Sequence, residues 1–250
     1  KMILKEGKTK VLTLSYDGTN FCGYQVQPNK RTVQGVLDEA IFTLTGERVK
    51  TVASGRTDSG VHALSQKVNF KTSSTIPPEK FQDALNSLLP SDVKVLKSQK
   101  VADSFNARYS AKQKTYVYRV YFSTVEEPLK SRYAVKIPYA VDVNAMKQAC
   151  ELLVGTHDFK CFLSSGSSVK DTVRTIYLAK IKNVKGGLEF AFTGNGFLYN
   201  MVRIMVGTLL AVGEGKKTLE DLAKGLTTGE RSLVGKTMPP NGLTLYSVKY

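Results

Sequence analysis

Arg56, Asp58 and His62 stand close together in the stretch SGRTDSGVHA, residues 54–63. A carboxylate two residues from a guanidinium can stay ionised to attack a carbon or take a proton, because a neighbouring cation lowers its pKa. It can equally cap or brace a turn, as aspartate commonly does. Spacing does not choose between these roles. Gly55 and Gly60 permit positive φ and close approach of the backbone to another molecule, so the stretch reads as a turn. GRTDSG has the Gly-x4-Gly frame of a phosphate-binding loop, but Val61 and His62 occupy the places of the required Lys and Ser or Thr. GEGKKT, residues 213–218, fails the same test through Lys217, so nucleotide hydrolysis has no support. The chain has two histidines, His62 and His157, and three cysteines, Cys22, Cys150 and Cys161, without ligand spacing. No metal site is therefore expected, nor a disulfide framework or a histidine-centred nucleophile. The cysteines are expected to be reduced and buried. Chemistry must run on carboxylate, tyrosine, lysine or arginine.

The elements that position these residues read as one unit used twice. KVLTLSYDG alternates apolar and polar residues as a strand would. TVQGVLDEAIFTLTG follows with Thr32 as N-cap, apolar positions at helical spacing and Gly46 as stop. RVKTVAS and VHALSQKVNF read as strands around the opening loop, PPEKFQDALNSLLP as a helix and DVKVLKSQKV as a strand. The second half repeats the order. KTYVYRVYF is a strand, VDVNAMKQACELLVG a helix from an Asp142 cap, and TVRTIYLAKIKNV and LEFAFTG are strands. FLYNMVRIMVGTLLAVG is a long helix, GLTLYSVKY closes as a strand, and TLEDLAKGL is a short inserted helix. The expected class is α+β: two ferredoxin-like βαββαβ halves with mainly antiparallel sheets and an active-site cleft between them. Residues 1–107 form the half carrying the aspartate loop, and residues 108–250 the other.

Lys and Arg total 36 against 21 Asp and Glu, a formal charge of +15 in 250 residues. A bias this large favours a polyanionic partner, nucleic acid first. An anionic membrane surface or a merely solubilising lysine surface are the alternatives. No apolar run is long enough to span a bilayer, and KMILKEGKTK lacks the apolar stretch of a secretory leader. A cytoplasmic location is expected.

Ordered motifs along the whole chain resemble the bacterial tRNA pseudouridine synthase A family, TruA. They are YDGTNFCGYQVQP, TVQGVLDEA, SGRTDSGVHALSQ, FNARYSAKQKTYVYRV, GNGFLYNMVRIMVGTLLAVGEG and PNGLTLYSVKY. The resemblance implies isomerisation of uridine to pseudouridine at positions 38 to 40 of the tRNA anticodon stem-loop, without cofactor or metal, by a homodimer. Asp58 matches the family's catalytic aspartate, which acts at C1′ or at the C2′ proton. Tyr116 matches its active-site tyrosine, able to stack on uracil and assist proton transfer at C5, although strand packing with Tyr118, Val120 and Phe122 also accounts for it. Arg203 lies on an otherwise apolar helix, and the resemblance makes Asp58 its partner. Arg56 would fill the space of the flipped uridine, Leu243 would form an apolar wall beside the base, and His62 is structural. FLSSGSSVKDTVRTI lacks a cysteine often found there, and MPPNGLTL departs from the family's APANGLYL at Met238, Pro240 and Thr244. Two alternatives remain: a tandem RNA-recognition module without chemistry, against which KTYVYRV lacks the signature glycine, and a pseudouridine synthase for another RNA.

Overall fold

β1 (Lys8–Tyr16) grows from the alternation in KTKVLTLSY, and its even-numbered residues Leu12, Leu14 and Tyr16 are buried. A computed structural model describes residues 7–167 and 169–250 of the chain. The basic segment 1–6, read above as lacking a leader, lies outside the described residues, as does Ser168 of the SSGSSV stretch. Helix α1 (Val33–Thr45) starts where expected, with the Thr32 side chain accepting from the Gly35 amide, and ends at Gly46 in the left-handed region. β2 (Val52–Ala53) is only two residues long, much shorter than RVKTVAS suggested. β3 (His62–Thr72) follows the loop, then α2 (Phe81–Leu88) and β4 (Val93–Lys100).

β1 pairs antiparallel with both β3 and β4, and β2 pairs antiparallel with β3. Side chains alternate across a strand, so one face of this sheet presents Leu12, Leu14, Val68, Phe70, Val93 and Val95, all nearly inaccessible. Leu37 and Ile41 of α1 and Phe81 and Leu85 of α2 are buried with them, and the Phe70 and Phe81 rings meet edge to face at 5.8 Å. The other face is polar: Thr13 stands opposite Lys67 on one side and Lys97 on the other.

The second unit contains β5 (Gln113–Phe122), α3 (Pro128–Ser131), β6 (Val135–Ile137), α4 (Val143–Leu153), β7 (Gly155–Asp158), β8 (Val173–Val184) and β9 (Gly187–Gly194). It continues with α5 (Met201–Gly213) and α6 (Leu219–Thr228). β5–β9, β9–β8 and β8–β7 are antiparallel, and β6 adds a parallel partner to β5. The short elements α3, β6 and β7 lack an extended period and escaped the sequence pattern. Asp142 caps α4 as expected, accepting from the Asn144 and Ala145 amides. α5 begins later than FLYNMVRIMVG suggested, because Asn200 takes a left-handed φ of 61° and breaks the helical path before Met201.

The last strand, β10 (Leu243–Lys249), opens at the end of the second unit, and from Leu245 onward the chain groups with the first, where β10 lies beside β3. The chain groups into one unit that runs to Lys112 and includes Leu245–Tyr250, and a second unit, Gln113–Thr244. The cause is local. Ala107 donates its amide to Asn69 Oδ1 at 2.7 Å and accepts from the Tyr250 hydroxyl at 2.9 Å, which ties residues 105–110 to the first unit. Mixed α and β structure with six α-helices is thus seen among the described residues, and none of those helices is long and apolar enough to cross a membrane. Cys150 and Cys161 are buried, while Cys22 is only half-buried. Burial pushes both buried thiols up to about 12 and leaves them protonated and inert.

Candidate active site

The loop between β2 and β3 is held from beneath by the YDGTNFCGY segment. Tyr16, 4% exposed, shares a hydrogen bond of 2.6 Å with Thr57 Oγ1. Burial raises the Tyr16 phenol to about 12, with hydrogen bonds from Thr57 and Gln66 acting the other way, so it serves as a neutral brace. Gln66, fully buried, sends Nε2 to the Gly55 carbonyl at 2.7 Å and lies 2.5 Å from Ser54 Oγ, which donates to its Oε1. The Tyr24 amide donates to the Thr57 carbonyl at 3.0 Å, and Ser59 Oγ donates to the Phe21 carbonyl at 3.2 Å. The Val61 amide reaches the Asp58 carbonyl at 3.1 Å, closing a four-residue turn with Gly60 at its third position and a φ of 79°. That is the position where a type II turn requires positive φ. Gly55 contributes its carbonyl; the expected positive φ is found at Gly60.

Asp58 closes the turn through its main-chain carbonyl, a function any residue could perform, and its side chain is half-buried. Arg56, two residues earlier, is exposed. His62 is 3% exposed, and its Nδ1 accepts from the Gly18 amide at 2.9 Å. A ring nitrogen that accepts carries no proton, so the Asp17 oxygen 3.3 Å from Nδ1 is not one half of an ion pair through that atom. Asp17 Oδ1 accepts instead from the amide and hydroxyl of Thr19, at 3.0 and 2.5 Å. His62 thus ties the start of β3 to the YDG turn.

Gly18 is where the two segments touch. A Cβ there would lie 2.0 Å from the Val61 carbonyl oxygen, far inside contact distance. Gly18→Ala is expected to cost about 3 kcal/mol, as overpacking against a backbone does, and to lower Tm by roughly 6–12 °C in a domain of this size. Thermal unfolding followed by circular dichroism checks this; an unchanged Tm would show that the two segments can separate freely.

In the second unit, Tyr116 lies on β5 opposite Phe192 of β9, 9% exposed, and meets the Phe197 ring edge-on at 5.1 Å. Tyr118 and Val120 on the same side of β5 are buried, whereas Phe122 is 39% exposed, so the packing surface ends before the end of the strand. Arg203 is the charged residue of α5, whose other positions are mostly buried. Its Nε donates to the Met238 carbonyl at 2.6 Å and its Nη1 to Asn200 Oδ1 at 2.7 Å. Asn200 in turn donates to Ser164 Oγ at 3.0 Å. The guanidinium is thus fixed in orientation by neutral acceptors of its own unit, which a flexible lysine could not reproduce. Tyr118, whose hydroxyl donates to the Pro239 carbonyl at 2.7 Å, has its phenol pKa raised by burial, with the Arg203 charge opposing. Leu243 is 6% exposed at the start of β10, and the preceding Asn241 is anchored by Nδ2 to the Ser131 carbonyl at 2.7 Å.

Asp58 and Arg56 thus belong to the first unit, and Tyr116, Arg203 and Leu243 to the second. Sequence reasoning did not single out Tyr16, Gln66, Asn200 or the Met238 carbonyl. Each lies inside a motif quoted above, but a bracing side chain has no spacing of its own to reveal it.

The chain matches the family model described as tRNA pseudouridine synthase over residues 13–110 and 149–250. It is 49% identical over 240 residues to the tRNA pseudouridine synthase A of Caldicellulosiruptor bescii, covering 96% of this chain and 98% of that protein. The protein of the same name from Caldicellulosiruptor saccharolyticus is 48% identical over 240 residues, with 96% and 98% covered. That of a Geobacillus species is 46% identical over 239 residues, with 95% and 96% covered. The chain belongs to the bacterial tRNA pseudouridine synthase A (TruA) family.

Proposed function

We propose that this chain is an isomerase that converts uridine to pseudouridine in tRNA, at positions 38 to 40 of the anticodon stem-loop. The observation that carries this is the family match, which runs through both units and spans the braced GRTDSGVHA loop. In the reaction the N1–C1′ bond breaks, the uracil turns in place, C5 bonds to C1′, the C5 hydrogen leaves as a proton and N1 takes up a proton. Asp58 is the essential carboxylate, attacking C1′ or taking the C2′ proton. Either route needs an ionised group beside the sugar of a base taken out of its stack. Arg203 is the cation that keeps it ionised and oriented, Tyr116 stacks on the uracil, Leu243 walls the base and Arg56 props the RNA open behind the flipped nucleotide.

We read each unit as a ferredoxin-like half. The strand order β4-β1-β3 with β2 on β3 and two helices on one face supports this for the first. For the second, support comes from the sequence pattern. The active form is a homodimer in the cytoplasm, which sedimentation at twice the monomer mass checks. Mapping pseudouridine in tRNA from cells with and without the gene tests the function: loss at positions 38 to 40 is expected, and an unchanged map with a loss in another RNA would move the substrate elsewhere.

The charge of +15 gives a quantitative companion. Release of counterions from neutralised phosphates is expected to weaken tRNA binding roughly 10- to 1,000-fold between ~50 and ~200 mM salt. Filter binding across that range measures the slope; a flat response would mean the charge serves something other than RNA.

A further inference from the structure

The motif FNARYSAKQKTYVYRV contains a turn, residues 106–110, that the chemistry above leaves unused. Its main chain is fixed from several sides. Asn106 Oδ1 accepts from the Arg108 and Tyr109 amides, each at 3.0 Å, and the Ser110 amide returns to the Asn106 carbonyl at 2.9 Å. Ala107, fully buried, is pinned to Asn69 and Tyr250, and the Tyr250 ring packs on Phe105 at 4.8 Å. On this rigid base Tyr109 points outward, 78% exposed, with the Arg108 guanidinium 5.4 Å from its ring centroid. A lone exposed aromatic on a surface is ordinary. A ring held out by a turn whose amides all donate hydrogen bonds is different, because little conformational entropy is lost when something stacks on it.

The surroundings say what would stack. Asn69, which receives the turn, lies on β3 between Lys67 and Lys71 on the same side of the strand. Lys67 stands across Thr13 from Lys97, and its Nζ donates to Thr13 Oγ1 at 2.5 Å. Its ammonium pKa is lowered by burial first and by Lys97 second. Like charges are thus gathered on a polar sheet face, an arrangement that an anionic partner relieves.

We infer that Tyr109, with Arg108, is a stacking post for an unpaired base of the RNA substrate, whose backbone phosphates meet Lys67, Lys71 and Lys97. The inference rests on the RNA substrate proposed above. Base–aromatic stacking tolerates any base, since each has a π face, and an arginine beside the ring strengthens it. The post supplies affinity and register and takes no part in bond making.

The chain contains no tryptophan, so Tyr109→Trp places a single reporter at the post. Titration with unmodified tRNA transcript is expected to quench its emission in step with saturation. Tyr109→Ala is expected to raise Kd roughly 5- to 100-fold with an unchanged salt slope, and Tyr109→Phe to stay within about twofold, because stacking and not charge is altered. Lys71→Ala is expected to reduce the salt slope by about one. Circular dichroism confirms that each variant is folded. Wild-type affinity in folded Tyr109→Ala, or unchanged tryptophan emission at saturating tRNA, overturns the post. Pseudouridine formation by wild type on the same transcript separates the two claims. Turnover without quench removes the post alone, and quench without turnover removes the enzymatic reading and leaves the post standing.

Discussion

Asp58→Asn is expected to bind tRNA within about threefold of wild type, since phosphate contacts carry the affinity, and to form pseudouridine at least about 10³-fold more slowly, as loss of an essential catalytic group does. Asparagine matches aspartate in size, and the turn at this position is closed by the residue-58 carbonyl, so the Val61 bond survives the substitution. The braces from Tyr16, Gln66 and Gly18 reach Thr57, Gly55 and His62. What the chemistry loses is a charge and the ability to attack or accept a proton. Single-turnover rate and filter binding on the same preparation give both numbers. Substantial residual turnover would return Asp58 to the bracing role that its spacing alone allows.

The second large effect separates the two arginines. Arg203→Ala removes the cation proposed to keep the carboxylate ionised, so its rate is expected to fall at least about 10²-fold on any substrate. It also strips donors from the Met238 carbonyl and Asn200 Oδ1, at a stability cost of about 1–3 kcal/mol, so a melting curve must accompany the rate. Arg203→Lys keeps the charge but cannot make both of those bonds at the observed angles, and a rate well below wild type is expected there too. Arg56 is exposed. Arg56→Ala is expected to slow turnover of intact tRNA while sparing an RNA whose target uridine sits in a disordered bulge, because unstacking costs a few kcal/mol only where a stack exists. Wild type must turn over both substrates for the comparison to hold. Equal losses on the two would remove the flipping role and make Arg56 a second active-site charge.

Strong periodicity and good caps made much of the fold legible. The Thr32 and Asp142 caps and the Gly46 stop lie where the sequence puts them, because capping is chemistry between near neighbours. The late start of α5 was hidden. Phe197 and Tyr199 continue the apolar pattern, and only the left-handed Asn200, tied to Ser164 and Arg203, ends it. The ties of Ala107 to Asn69 and Tyr250 were hidden for a related reason, being single hydrogen bonds across long sequence separations. In the candidate site, Arg56, Asp58 and His62 announced themselves by type and spacing. Local sequence could not say that the YDG turn beneath them is part of the same construction, since that depends on Gly18 allowing the Val61 carbonyl to come close.

Conversion of uridine to pseudouridine breaks one glycosidic bond and makes another. Forming the C5–C1′ bond must expel the C5 hydrogen, so tRNA carrying tritium at uridine C5 reports the reaction directly. The purified chain is expected to release tritium to water in proportion to pseudouridine formed, with no added cofactor, and Asp58→Asn to release none above background. Tight tRNA binding by the wild type without any tritium release would contradict the account and leave an RNA-binding protein in its place.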